Sequence, residues 1–116
     1  MFWVWSVVLV AIIMYFYTML GAGLVSAQKA KELIMSGQVN TIIDVRTSAE
    51  FNMGHFPGAI NIPVNRIPEA SMLSLSRDGV LVYCNTGQRA RFASQKLRAI
   101  GFKNVYYIAG TYQSLL

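Results

Sequence analysis

The first 27 residues contain no Asp, Glu, Lys, Arg or His, and only Ser6, Thr18, Gly21, Gly23 and Ser26 interrupt the apolar side chains. This stretch constrains the fold more than any other feature. A helix apolar on every side cannot be covered by a domain as small as the one that follows. The run from Phe2 to Val25, at about 1.5 Å per residue, reaches about 36 Å as a helix, enough to cross a hydrocarbon core of about 30 Å with some tilt. Trp3 and Trp5 stand where an interfacial aromatic belt belongs. The chain is therefore expected to divide into one transmembrane anchor, residues 1–27, and a soluble domain, residues 28–116, which holds all ten Lys and Arg and all five acids.

The rival reading of the segment is a cleaved signal peptide, since Val25-Ser26-Ala27 offers small or medium residues to a peptidase. Against it, no Lys or Arg precedes the run, and the run is longer than an ordinary signal core. Lys29 and Lys31 follow the segment directly, and basic residues near a span tend to remain in the cytoplasm. The expected localisation is a single-pass membrane protein with its domain in the cytoplasm. The signal-peptide alternative sends the domain to the periplasm or outside the cell.

Cys84 is the single cysteine, which excludes an intrachain disulfide scaffold and suits a reducing compartment. With one His and one Cys, the sequence offers no metal cluster. The formal net charge of +5 is concentrated in the last third, at Arg89, Arg91, Lys96, Arg98 and Lys103. No aromatic stacking surface or groove-reading motif accompanies these charges, so nucleic acid is not an expected partner. Arg91 and Arg98, seven residues apart, fall on one helix face opposite Ala93 and Leu97 and read as a solvated face, with steering of anions as the functional alternative.

The domain reads as strands alternating with helices. Ser26 caps a helix through about Ser36, with Ala30, Leu33 and Ile34 on its apolar side and Gly37 as its stop. Residues 41–45 and 59–62 read as strands, separated by a helix-like 48–51 and the turn-rich 54–58. A helix is expected over 66–74, with Pro68 in its first turn. Residues 79–83, Gly-Val-Leu-Val-Tyr, form the strongest strand, with the signature of burial on both faces. A helix follows over 88–100, then a strand over 104–108 and the start of a last helix at 112–116. Such alternation predicts one α/β domain with a mostly parallel central sheet and helices on both faces, preceded by the transmembrane helix.

The best strand runs directly into Cys84-Asn85-Thr86-Gly87-Gln88-Arg89 and a helix. The carboxyl ends of strands are where ligands bind in open α/β sheets. A short strand-to-helix loop leaves main-chain N–H groups free to hold an anion, and Gly87 permits the tight turn. A cysteine at that cradle has its thiolate favoured over the thiol, and Arg89 adds a fork of donors. Cys84 is the candidate nucleophile, with Asn85, Thr86, Gly87, Gln88 and Arg89 as candidate substrate-binding residues. The bland reading is a buried structural cysteine. Asp44, Arg46 and Glu50 read as structural, with Arg46 paired to a nearby acid. His55 reads as a turn-stabilising residue before Pro57.

The segments Asp44-Val45-Arg46, Glu50-Phe51, Gly54-His55-Phe56-Pro57-Gly58-Ala59-Ile60-Asn61-Ile62-Pro63 and Tyr83-Cys84-Asn85-Thr86-Gly87-Gln88-Arg89-Ala90 resemble the rhodanese-like, or thiosulfate:cyanide sulfurtransferase, domain over roughly residues 28–113. The resemblance implies that the Cys84 thiolate takes the outer sulfur of a thiosulfate-like donor, forms a persulfide held by the loop, and yields it to cyanide or to a small or protein thiol, without a cofactor. It also implies sulfur transfer rather than phosphatase chemistry, because the six-residue loop from Cys84 to Arg89 is one residue shorter than in related phosphatases and arsenate reductases. The alternative role is a non-turnover sulfur-relay or protein-binding module at the membrane. The chain departs from the family pattern near its end, where Gly110-Thr111-Tyr112 replaces a Gly-Gly and the last helix is short.

Overall fold

The computed structural model describes residues 1–67 and 75–116, and for residues 17–21 the backbone alone. Its centre is the strand β3, Asp78–Tyr83, in which Val80, Leu81, Val82 and Tyr83 are completely buried. Alternation along that strand divides the core in two. Val80 and Val82 pack with Ala90, Ala93 and Leu97 of the helix Gln88–Ala99 on one face. Leu81 and Tyr83 pack on the other with Ala30 and Leu33 of the helix Ala27–Met35. The expected burial of both faces is what the structure has.

In chain order the elements are α1 (Phe2–Gly21), α2 (Ala27–Met35), β1 (Thr41–Asp44), α3 (Ser48–Met53), β2 (Ile60–Asn61), β3, α4 (Gln88–Ala99) and β4 (Lys103–Tyr107), closed by a 3-10 turn at Tyr112–Leu115. The sheet order is β2-β1-β3-β4, every pair parallel, with Ile43 beside Ile60, Ile43 beside Val82, and Val80 beside Val105. Parallel pairing brings the carboxyl ends of β1 and β3 to the same edge, where Asp44 and Tyr83 are register partners. The Ser26 hydroxyl accepts from the Lys29 N–H and caps α2, as its position predicts. β2 is shorter than the expected strand over 59–62, yet Ile62 N and Val64 N still donate to Asp44 and Val45 at 2.9 and 3.1 Å. Of the helix expected over 66–74, only Arg66 and Ile67 are described, in a 3-10 turn over 64–67; the rest lies outside the described residues.

The N-terminal expectation fares differently. Among the described residues no helix is long and apolar enough to cross a membrane, so the transmembrane span finds no support there. α1 is helical from Phe2 to Gly21, and every described side chain from Met1 to Phe16 is exposed. Beyond α1 the chain joins the sheet: Leu24 bridges Tyr107 in parallel, Val25 N donates to the Tyr107 carbonyl, and Tyr107 N donates to the Gly23 carbonyl.

The basic face of α4 also departs from expectation. Arg91 is exposed, but Arg98 Nη2 donates to the Val105 carbonyl at 2.6 Å. Burial pushes the Arg98 guanidinium below its ordinary pKa. The reason lies across the sheet. Arg98 satisfies an edge carbonyl of β4 through space left open by Gly23, where a side chain would collide with the guanidinium.

Candidate active site

Cys84 follows the last residue of β3 and is 1% exposed. Beyond it the chain turns within three residues into α4, whose N-cap is Gly87 at φ +96°. Only glycine takes that left-handed conformation without cost, and a side chain there would also strike Ala109 Cα at 2.8 Å. The turn aims main-chain N–H groups at the sulfur: Gly87 N lies 3.1 Å and Ala90 N 3.4 Å from Cys84 Sγ. The amino end of α4 stands behind these donors. Two main-chain donors, one from the loop and one from the helix, thus meet the sulfur atom.

Arg89 is engaged by an acid. Its guanidinium grips Glu50 at 2.8 and 3.2 Å, and Asn85 Nδ2 donates to the same carboxylate at 2.8 Å. Glu50 is in the first turn of α3, where Thr47 Oγ1 accepts from Glu50 N and the Glu50 carboxylate accepts from Thr47 N, a reciprocal capping box. The Arg89 hydrogen bonds, followed by the Thr47 N–H, hold the Glu50 carboxyl far below its ordinary pKa, and Glu50 in turn raises that of Arg89. Glu50 therefore joins both ends of the Cys84 loop. Sequence reading grouped it with Asp44 and Arg46. The Thr47–Glu50 spacing signals the capping box, but nothing local signals the loop.

Residues 26–116 match the family model described as "Rhodanese-like domain". The chain belongs to the rhodanese-like family. A curated relative, the human thiosulfate:glutathione sulfurtransferase, is 30% identical over 112 residues, covering 84% of this chain and 96% of the relative. The tRNA uridine(34) hydroxylase of Buchnera aphidicola is 33% identical over 84 residues, 66% of this chain. This chain spans only 27% of that hydroxylase's length. Among solved structures, the human single-domain sulfurtransferase TSTD1 superposes with a TM-score of 0.64 at 28% identity, over 80% of this chain and 94% of that one.

In this rhodanese-like domain the other residues singled out from sequence brace the site. Arg46 and Asp44 form a buried pair at 2.6 Å, and Arg46 Nη2 also donates to the Gly54 carbonyl at 2.7 Å. The Tyr83 hydroxyl accepts from Phe56 N at 3.0 Å, and burial pushes its pKa up to about 12. His55 stacks on Phe51 at 3.7 Å, and its Nδ1 donates to the Phe51 carbonyl at 2.9 Å. These contacts pin the rhodanese-like Gly-His-Phe-Pro-Gly turn, the role expected of His55. Beside the Cys84 loop, Leu24, Thr86, Gly87, Gln88 and Arg91 line a cavity of about 160 Å³. Among the described residues, no group of three or more His, Cys, Asp or Glu is placed to hold a metal ion.

Proposed function

We propose that this rhodanese-like protein is a sulfurtransferase that carries sulfane sulfur on Cys84. The Cys84 thiolate attacks the outer sulfur of a donor such as thiosulfate. The donor's S–S bond breaks, sulfite leaves with the bonding pair, and Cys84 holds a persulfide. A thiolate acceptor, or cyanide as a probe, then attacks the outer sulfur and frees Cys84. Asn85, Thr86, Gly87, Gln88 and Arg89 form the wall against which the donor is held. The observation that carries this reading is Cys84 Sγ, at the amino end of α4, within hydrogen-bonding reach of Gly87 N and Ala90 N.

Intact-mass spectrometry after incubation with excess thiosulfate tests it. Wild type gains about 32 Da, one sulfur on the activated thiolate, and Cys84→Ser gains none. Rapid discharge by cyanide or a thiol supports turnover, whereas a stable persulfide points to a relay. Absence of loading from any sulfane donor overturns the proposal.

The same reading attaches the domain to a membrane through residues 1–27, with the domain on the cytoplasmic side. Its support is the uncharged segment and the position of Lys29 and Lys31 just after it. Protease digestion of the domain from outside intact cells overturns that orientation, and recovery of a chain cleaved near Ala27 replaces the anchor with a signal peptide.

A further inference from the structure

The order β2-β1-β3-β4 leaves β4 at the edge of the sheet, where its outer main-chain groups need partners. Two different groups supply them. Arg98 Nη2 donates to the Val105 carbonyl at 2.6 Å. The segment Gly23–Val25 takes Tyr107, whose N donates to the Gly23 carbonyl at 2.8 Å and whose carbonyl accepts from Val25 N at 3.0 Å. The two meet at Gly23, at φ +84°, where the Arg98 guanidinium and the Val105 carbonyl occupy the space of a side chain. Leu24 follows Gly21, the last residue of α1, by three residues, at most about 11 Å of chain, so α1 joins the domain at this edge.

The end of β4 that this segment covers is also the seat of the Cys84 loop. Past Tyr107 the chain runs through buried Ile108 to Ala109. Gly87 rests so closely on them that a methyl group there would lie 2.8 Å from Ala109 Cα and 3.3 Å from the Ile108 carbonyl oxygen. Gly87 N in turn stands 3.1 Å from Cys84 Sγ. Leu24, with Tyr107 and Ala109, lines the cavity of about 160 Å³ to which Thr86, Gly87 and exposed Arg91 also contribute. Resting on the persulfide chemistry proposed above, we infer that Gly23–Val25 is a positioning element for Cys84, with Leu24 as its side chain at the site. It fixes the end of β4, hence the seat of Gly87 and the N–H that Gly87 aims at the sulfur. A shorter side chain at position 24 enlarges the cavity and loosens that seat, and a misplaced group at a reacting atom costs rate steeply.

The full chain is loaded with thiosulfate and followed by intact mass, and amide exchange at Gly87 is read by NMR beside that of Leu81 in β3. Leu24→Ala loads about tenfold more slowly than wild type and loses Gly87 protection while Leu81 keeps its own, as a weakened hydrogen bond to the sulfur requires. Leu24→Ile, which keeps the cavity filled, matches wild type in both. Gly23→Ala, which drives the segment off Arg98 and Val105, has the same effect or a larger one. Arg91 is untouched in all three, so a lost cation does not explain the fall. The control is Phe102→Leu, in the buried core just before β4 and at the end away from Tyr107. It lowers the melting temperature and loads within about twofold of wild type, because distant sites act independently. A Leu24→Ala chain slowed no more than Phe102→Leu, or slowed with Gly87 protection intact, overturns this inference alone. No loading of wild type from any sulfane donor overturns the persulfide chemistry and the inference with it.

Discussion

Glu50 and Arg89, 39 residues apart in the chain, close a two-pronged ion pair at 2.8 and 3.2 Å that ties the first turn of α3 to the first turn of α4. The pair is about one-third exposed on each side, so its effect is on geometry and local charge more than on global stability.

Arg89→Ala leaves the Glu50 carboxylate unbalanced beside the Cys84 loop. Repulsion of both the thiolate and an anionic donor is expected to slow persulfide formation by the equivalent of about 1.5–3 kcal/mol, the worth of a charge-assisted hydrogen bond. Loading kinetics followed by mass spectrometry check this. A rate equal to wild type removes Arg89 from the site.

The pH dependence follows from the lowered Glu50 pKa. A carboxyl whose folded pKa lies below its unfolded value of 4.5 contributes stability that is complete above that value and is lost as pH falls toward the depressed folded one. Urea titrations of wild type and Glu50→Gln should therefore differ by a constant amount from neutral pH down to about pH 5, and that difference should shrink in more acidic solution. A difference that grows on acidification contradicts the pairing.

Asp44→Ala removes the partner of a guanidinium that is only 7% exposed. Stranding a buried charge costs about 3–5 kcal/mol, so the denaturation midpoint should fall sharply. Arg46 also holds the Gly54 carbonyl. The turn at residues 54–58 should then lose amide-exchange protection before the rest of the domain.

Gly87→Ala forces an L side chain into the left-handed region and against Ala109. The conformational part alone costs about 1–2 kcal/mol. Because Gly87 N is one of the two donors on Cys84 Sγ, persulfide loading should be lost by more than the fall in melting temperature explains. Full loading at reduced stability separates the turn from the chemistry and counts against the cradle.

The local elements were legible in the sequence because their causes are local. Ser26 before an apolar 3.6-residue period announced α2, the apolar run Gly79-Val80-Leu81-Val82-Tyr83 announced β3, and Cys84 with Gly87 and Arg89 announced a strand-to-helix anion cradle. The Asp44–Arg46 pair and the bracing role of His55 were also readable, since each partner lies within a few residues.

Glu50 was not readable as the clamp of the Cys84 loop, and Arg98 was not readable as the partner of the Val105 carbonyl. By itself the amino-acid sequence determined most of the described strands and helices and where the lone cysteine stands, because propensity, capping and periodicity act over one or two turns. Only the tertiary structure decided which charges meet. Parallel crossovers bring α3 and α4 to one edge of the sheet, and neither charge patterning nor spacing along the chain records that approach.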